Sequence, residues 1–177
     1  SGSPKEISLS SRTSMEHRYQ AVLFDLDGTL ARTVELYEEV AFSTANDFGI
    51  PLTKHYWDTA PAVPPNVWLR EFTKDEALIT RYCTEFNRRA KILIGEKVTW
   101  NPGAQGTVRN LYERKVPMAV VTTSHEENVQ VKEVRMRFYR YMQTVIHGDH
   151  VAHRIKPDPL GLIVATTIME VDPKRCI

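Results

Sequence analysis

Cysteine is scarce: the 177 residues hold two, Cys83 and Cys176, far apart and without any C-x-x-C spacing. Neither a disulfide framework nor a zinc knuckle is indicated, and a reduced, cytoplasmic setting is the expectation. An excess of either charge is also missing, with 23 Lys and Arg against 22 Asp and Glu spread along the whole chain. No basic stripe marks a nucleic-acid partner, and no acidic tail marks a charge-driven one. Apolar runs stay well short of the roughly 20 residues that span a membrane, so no membrane partner is expected. The N-terminus lacks the apolar core of a signal peptide. No G-x-x-x-x-G-K-S/T phosphate loop, internal repeat or low-complexity tract occurs. The opening "SGSPKEISLSSRTS" is small and polar, and residues 1–18 read as a flexible arm or cloning remnant outside the fold.

What remains is long enough for one well-buried core with a small inserted domain. From Tyr19 onward short apolar runs alternate with helical periodicity. "AVLF" is a continuous apolar run of the kind that forms a strand buried on both faces. In "VELYEEVAFSTANDFG" Val34, Tyr37, Ala41, Ala45 and Phe48 fall at helical spacing, with Gly49 and Pro51 as stop signals. "HYWDTAPAVPPNVWL", with its prolines, reads as an irregular loop. Thr73 and Glu76 form a capping-box pattern ahead of a second helix on which Leu78, Ile79, Tyr82, Phe86, Ala90 and Leu93 share a face. A Gly-opened helix follows in "NPGAQGTVRNLYERK", then a second buried strand at Met118 to Val121. Ser124 with Glu127 predicts the cap of the next helix. "TVIHGD" predicts a third strand, and "KPDPLGLIVATTIMEV" a helix opened by Asp158 and Pro159, with Gly161 as an unfavourable early residue. Strand, loop and helix in this order predict an α/β fold with a doubly wound parallel sheet.

In such sheets ligands bind outside the carboxyl ends of the strands. "DLDG" puts Asp25 and Asp27 at one such end, and Thr122 stands at another. Two carboxylates with one residue between them and Gly28 after them can hold a hard cation and leave an oxygen free to attack. Thr122 and the amides opening the following helix would supply donors to an anion, and Lys156 a positive charge. Nucleophile, metal, anion donors and lysine together describe phosphoryl chemistry.

"DLDGTL", then a hydrophobic run ending in Thr122, then "KPDP" resembles the haloacid dehalogenase superfamily, in its branch of capped phosphatases and β-phosphoglucomutase-like enzymes. The resemblance extends from about Tyr19 to Ile177 and implies a Rossmann-like core at 19–32 and 99–177 with a helical cap inserted at 33–98. Carried over, Asp25 would be the nucleophile that forms an aspartyl-phosphate and would bind Mg²⁺ through its other oxygen. Asp27 would be the general acid and base and would lend its main-chain carbonyl to the metal. A dehalogenase needs no acid at Asp27, because a halide leaves without a proton. Thr122 matches the phosphate-binding hydroxyl, with Thr123 and Gly28 beside the substrate, and Lys156 matches the lysine that offsets the crowded negative charge. The implied activity is Mg²⁺-dependent hydrolysis of a small phosphorylated metabolite. A phosphomutase, or a non-catalytic binding protein that keeps the fold, is the alternative.

Three features depart from the family pattern. Arg32 stands where many capped relatives carry an acid, the prolines with Trp57 and Trp68 give an unusual first cap loop, and the chain ends at "DPKRCI" before the fourth motif's acidic pair. The expectation is therefore a truncated chain with two protein ligands for Mg²⁺, weak activity and an unpaired edge on its first strand. Strand exchange in a homodimer would cover that edge. His147, His150 and His153 lack a cysteine or carboxylate frame and are expected to be solvated rather than ligating, while Asp149 could help the charge balance of the site.

Overall fold

The computed structural model describes residues 19–60, 63–152, 154 and 156–177; the polar segment 1–18 and His153 lie outside the described residues. Three strands, β1 (Val22–Phe24), β2 (Met118–Val121) and β3 (Thr144–Ile146), form a parallel sheet in the order β1-β2-β3. Every residue of β2 is buried, which is why its sequence is apolar throughout instead of alternating. Met118 and Val120 face the larger core, together with Val108 of helix α5 (Ala104–Glu113) and Val129 and Met136 of helix α6 (Glu126–Met136). Ala119 and Val121 face the opposite way, onto Ala165 of helix α7 (Leu160–Ile168). Helices thus cover both faces of the sheet, as an α/β fold requires.

The chain between β1 and β2 builds helices α1 (Val34–Asp47), α2 (Lys54–Thr59), α3 (Pro65–Trp68) and α4 (Glu76–Lys97), with a 3₁₀ turn at Leu69–Glu71. Tyr82 of α4 is fully buried and its hydroxyl donates to the Ala41 carbonyl of α1 at 2.9 Å, which ties the two long helices together. Trp68 packs edge-on against both Tyr82 and Phe72, with Tyr56 beside it, so this tryptophan is a packing residue.

Several local expectations are corrected. The proline-rich stretch is two short helices rather than an irregular loop, because Thr53 caps Tyr56 and Pro65 occupies a first-turn position, where its missing N–H is not needed. The cap of α4 is Asp75, whose carboxylate accepts from Ala77 and Leu78, while Thr73 accepts from the Asp75 N–H. A carboxylate next to the helix outcompetes a hydroxyl two residues earlier. The N-cap position of α6 is held by His125, whose side chain makes no capping hydrogen bond, and Ser124 is used elsewhere. The outer edge of β1 is not bare: the Ile177 N–H donates to the Ala21 carbonyl at 3.1 Å and Leu23 donates to the Ile177 carbonyl at 2.7 Å. Among the described residues no helix is long and apolar enough to cross a membrane.

Gly161, unfavourable by propensity, is explained by packing. A Cβ there would come within 2.9 Å of Val121 Cγ1, so α7 can lie directly on β2 only without a side chain at this point. Alanine should gain about 0.5–1 kcal/mol in helix propensity, but crowding the stiff Val121 should cost about 1–3 kcal/mol. Gly161→Ala is therefore expected to lower the urea midpoint of unfolding, and an unchanged or higher midpoint would contradict this packing account.

Candidate active site

β1 delivers Asp25 directly after its last residue, Phe24, and the loop that follows is tightly wound. The Leu26 carbonyl accepts from Thr29, Leu30 and Ala31 at 3.3, 3.0 and 2.8 Å, and Gly28 donates back to Ala31 at 2.9 Å. Gly28 holds φ +77°, and a Cβ there would stand 3.1 Å from Val34 Cγ2. Asn101, at the far end of the α1–α4 excursion, clasps the loop from outside by donating its side-chain amide to the Gly28 and Thr29 carbonyls at 2.8 and 2.9 Å.

Within this loop the two aspartates meet different partners. Asp25 Oδ1 pairs with Lys156 Nζ at 2.5 Å, both side chains being partly exposed. Asp27 turns inward and accepts from Thr33 Oγ1 on Oδ1 at 2.9 Å and from Ser124 Oγ on Oδ2 at 2.7 Å. Lys132 Nζ lies 2.7 Å from Oδ1 and 2.8 Å from Oδ2 of the same carboxylate. The lysine is wholly buried, with Nζ 5.9 Å from the ring centre of Tyr37. Burial, with the Asp27 charge adding to it, pushes the Tyr37 phenol far up, so this ring stays neutral beside the pair.

Thr122 closes β2, donates its N–H to the Ile146 carbonyl at 2.9 Å and accepts from the Ser124 N–H at 3.1 Å. Thr122, Thr123 and Lys156 line one small cavity, shared with Gly161 of α7. The loops after β2 and β3 touch there: Gly148 donates to the Ser124 carbonyl at 2.9 Å, and a Cβ on it would meet the Thr123 carbonyl at 2.8 Å. The structure therefore joins Asp25, Asp27, Thr122, Thr123 and Lys156 in one region at the carboxyl ends of the strands, with Gly28 in the loop that carries both acids.

The histidine loop differs from its expectation at His147 alone among its described histidines, since His150 is exposed. His147 is buried, and its ring centre lies 3.6 Å from that of His150 with the planes tilted by 30°; burial and that neighbour hold it below the usual imidazole range. Asp149 does not serve the two catalytic candidates but caps α6, accepting from the Glu126 N–H at 2.7 Å and pairing with His125 at 2.8 Å. That capping releases Ser124 for Asp27. Thr33, Ser124, Lys132 and Asn101 were not legible as site residues. One signal existed: Val129, Lys132 and Met136 fall on one buried face of α6, so a lysine interrupts an apolar stripe.

As a cation site, the Asp25 carboxylate and the Asp27 main-chain carbonyl are hard oxygen donors and suit Mg²⁺ in kind. Among the described residues no group of three His, Cys, Asp or Glu side chains gathers around a point that could hold a metal. These two residues are thus a partial ligand set.

The sequence profile of the haloacid dehalogenase-like hydrolases matches residues 22–177. The chain belongs to that family. A phosphorylated carbohydrates phosphatase of Thermotoga maritima is 23% identical over 161 residues, 89% of this chain and 74% of that protein. The pyrophosphatase PpaX of Bacillus cereus is 26% identical over 160 residues, 90% of this chain and 73% of its own length. In fold, a structure described as a putative phosphoglycolate phosphatase from Lactobacillus plantarum superposes with TM-score 0.76 at 20% identity, over 89% of this chain and 75% of the other. A putative β-phosphoglucomutase from Thermotoga maritima gives TM-score 0.70 at 22% identity, over 89% and 74%. This haloacid dehalogenase-like chain thus has the family's Rossmann-like core and helical cap.

The Asp149 capping arrangement carries a pH dependence. The Glu126 N–H first, and His125 second, hold its carboxyl at about 2 against an ordinary 3.8. A depressed carboxyl stabilises the fold fully above its unfolded value and loses that contribution as pH falls through its folded value. Asp149→Asn should therefore melt below the parent at neutral pH, with the gap closing as pH falls through the interval between the two pKa values. A gap that persists unchanged at the acid end would refute the assignment.

Proposed function

We propose that this chain is a phosphatase that hydrolyses a small phosphate monoester through an aspartyl-phosphate on Asp25. The observation that carries the reading is the pair of acids at the end of β1, with Asp25 held by Lys156 beside Thr122 and Asp27 turned to its own partners. An Asp25 oxygen attacks phosphorus while the bond to the leaving oxygen breaks, and Asp27 gives that oxygen its proton. Water then attacks the phosphorus, Asp27 takes the water proton, and the bond from phosphorus to Asp25 breaks to free phosphate. Thr122 donates to the phosphoryl oxygens, and Lys156 offsets their charge. Mg²⁺, when held by the Asp25 carboxylate and the Asp27 carbonyl, supplies further positive charge against the phosphoryl group. Residues 33–98 act as the cap that excludes water and reads the substrate. Hydrolysis of phosphate compounds by the named relatives supports this reading. The likeness to a putative β-phosphoglucomutase supports a mutase as the second reading, and the product distinguishes them: free phosphate or a sugar phosphate isomer.

The test is phosphate release from an aryl phosphate with and without Mg²⁺. Asp25→Asn should abolish metal-dependent release with an unchanged far-UV spectrum, and retained release would overturn the nucleophile assignment. Thr122→Ala removes one hydrogen bond to a charged group, worth about 1.5–3 kcal/mol, and should lower kcat/KM by about 10-fold or more.

A further inference from the structure

Among the described residues Lys132 is the only Lys, Arg, Asp or Glu that is buried. It sits on the inward face of α6 between Val129 and Met136, both buried and apolar. A buried ammonium is costly unless paired, so its retention here needs a reason. Lys132 bridges both oxygens of Asp27 at 2.7 and 2.8 Å and stands 3.3 Å from Ser124 Oγ. Ser124 and Thr33 add one hydrogen bond each to the same carboxylate.

The origin of these donors is as telling as their number. Thr33 lies where the chain leaves the first loop for α1, Ser124 lies in the loop after β2, and Lys132 rises from α6. A single donor leaves a carboxylate free to rotate about its Cβ–Cγ bond, whereas contacts to both oxygens from three elements fix the plane of the group. Tyr37 of α1 packs its ring against the same ammonium, so the lysine touches the inserted helices as well as the core.

We propose that Lys132 is a positioning residue for Asp27: it fixes the plane and aim of the carboxylate and links that aim to the placement of α1. The proposal deepens the phosphatase reading and rests on Asp27 as the proton carrier of that reaction. Lys132 is wholly buried and spends its charge on Asp27, so its loss should disturb the chemical step more than substrate binding.

The test has two arms. In the kinetic arm, Lys132→Met should lower kcat by about 10²-fold, the size expected when a reacting group is misplaced by about 1 Å, with KM changed only a few-fold. Lys132→Gln, which keeps an N–H donor, should recover part of the loss. A folded Lys132→Met with parental kcat, or with its whole loss in KM, would overturn the proposal. In the second arm, melting temperatures of Asp27→Asn, Lys132→Met or Lys132→Gln, and the double variant form a cycle that needs no activity. The double variant should lose less than the sum of the single losses, and strict additivity would overturn the clamp. If parent and Asp25→Asn release phosphate equally, the phosphatase reading fails, while the melting cycle still decides whether Lys132 holds Asp27.

Discussion

Two carboxylates one residue apart at the end of a buried strand repel each other, and the architecture of this protein follows from keeping both there. Each is given its own lysine from a different element: Lys156, after β3, for Asp25 and Lys132, on α6, for Asp27. One shared cation would have drawn the acids toward the same point and left them equivalent. Separate partners leave the Asp25 carboxylate partly exposed and hold Asp27 among the donors Thr33, Ser124 and Lys132.

That division depends on how closely the loops at the sheet end approach. Gly148 lets the loop after β3 lie against Thr123, and Gly161 lets α7 rest on Val121, so the turn bearing Lys156 comes within reach of Asp25. On the other face, Asp149 takes over the capping of α6 and leaves the Ser124 hydroxyl to Asp27. A substitution at Asp149 would be felt at Asp27 through this exchange of donors, although the two residues belong to different loops.

Much of the fold was legible before any coordinates. The all-apolar β2, the helices α1 and α4 and the Gly-opened α5 each follow from short-range periodicity, and the structure has them where that periodicity predicts, except that Val34 of the expected α1 face is exposed. The caps expected at Thr73 and Ser124 differ for one cause: each hydroxyl has a plausible local partner, and a carboxylate takes that role, Asp75 two residues on and Asp149 from across the fold. The prolines around Trp68 suggest irregular chain, because the value of Pro65 as a first-turn residue shows only once the aromatic cluster with Tyr56, Phe72 and Tyr82 gives the short helices something to pack on.

By itself the sequence determined the α/β class, the strand that ends in Asp25 and Asp27, the hydroxyl at Thr122 and the lysine at Lys156, because each lies in a run whose spacing or motif is local. Only the tertiary structure decided which donor meets which acid. Ser124 and Lys132 lie 97 and 105 residues from Asp27, and Asn101 clasps a carbonyl 73 residues away. Pairings at such separations leave no periodic trace, since they arise when parallel strands bring distant loops to one sheet end. A buried lysine on an apolar stripe is their one sequence mark, and its meaning appears only when the fold shows the carboxylate it faces.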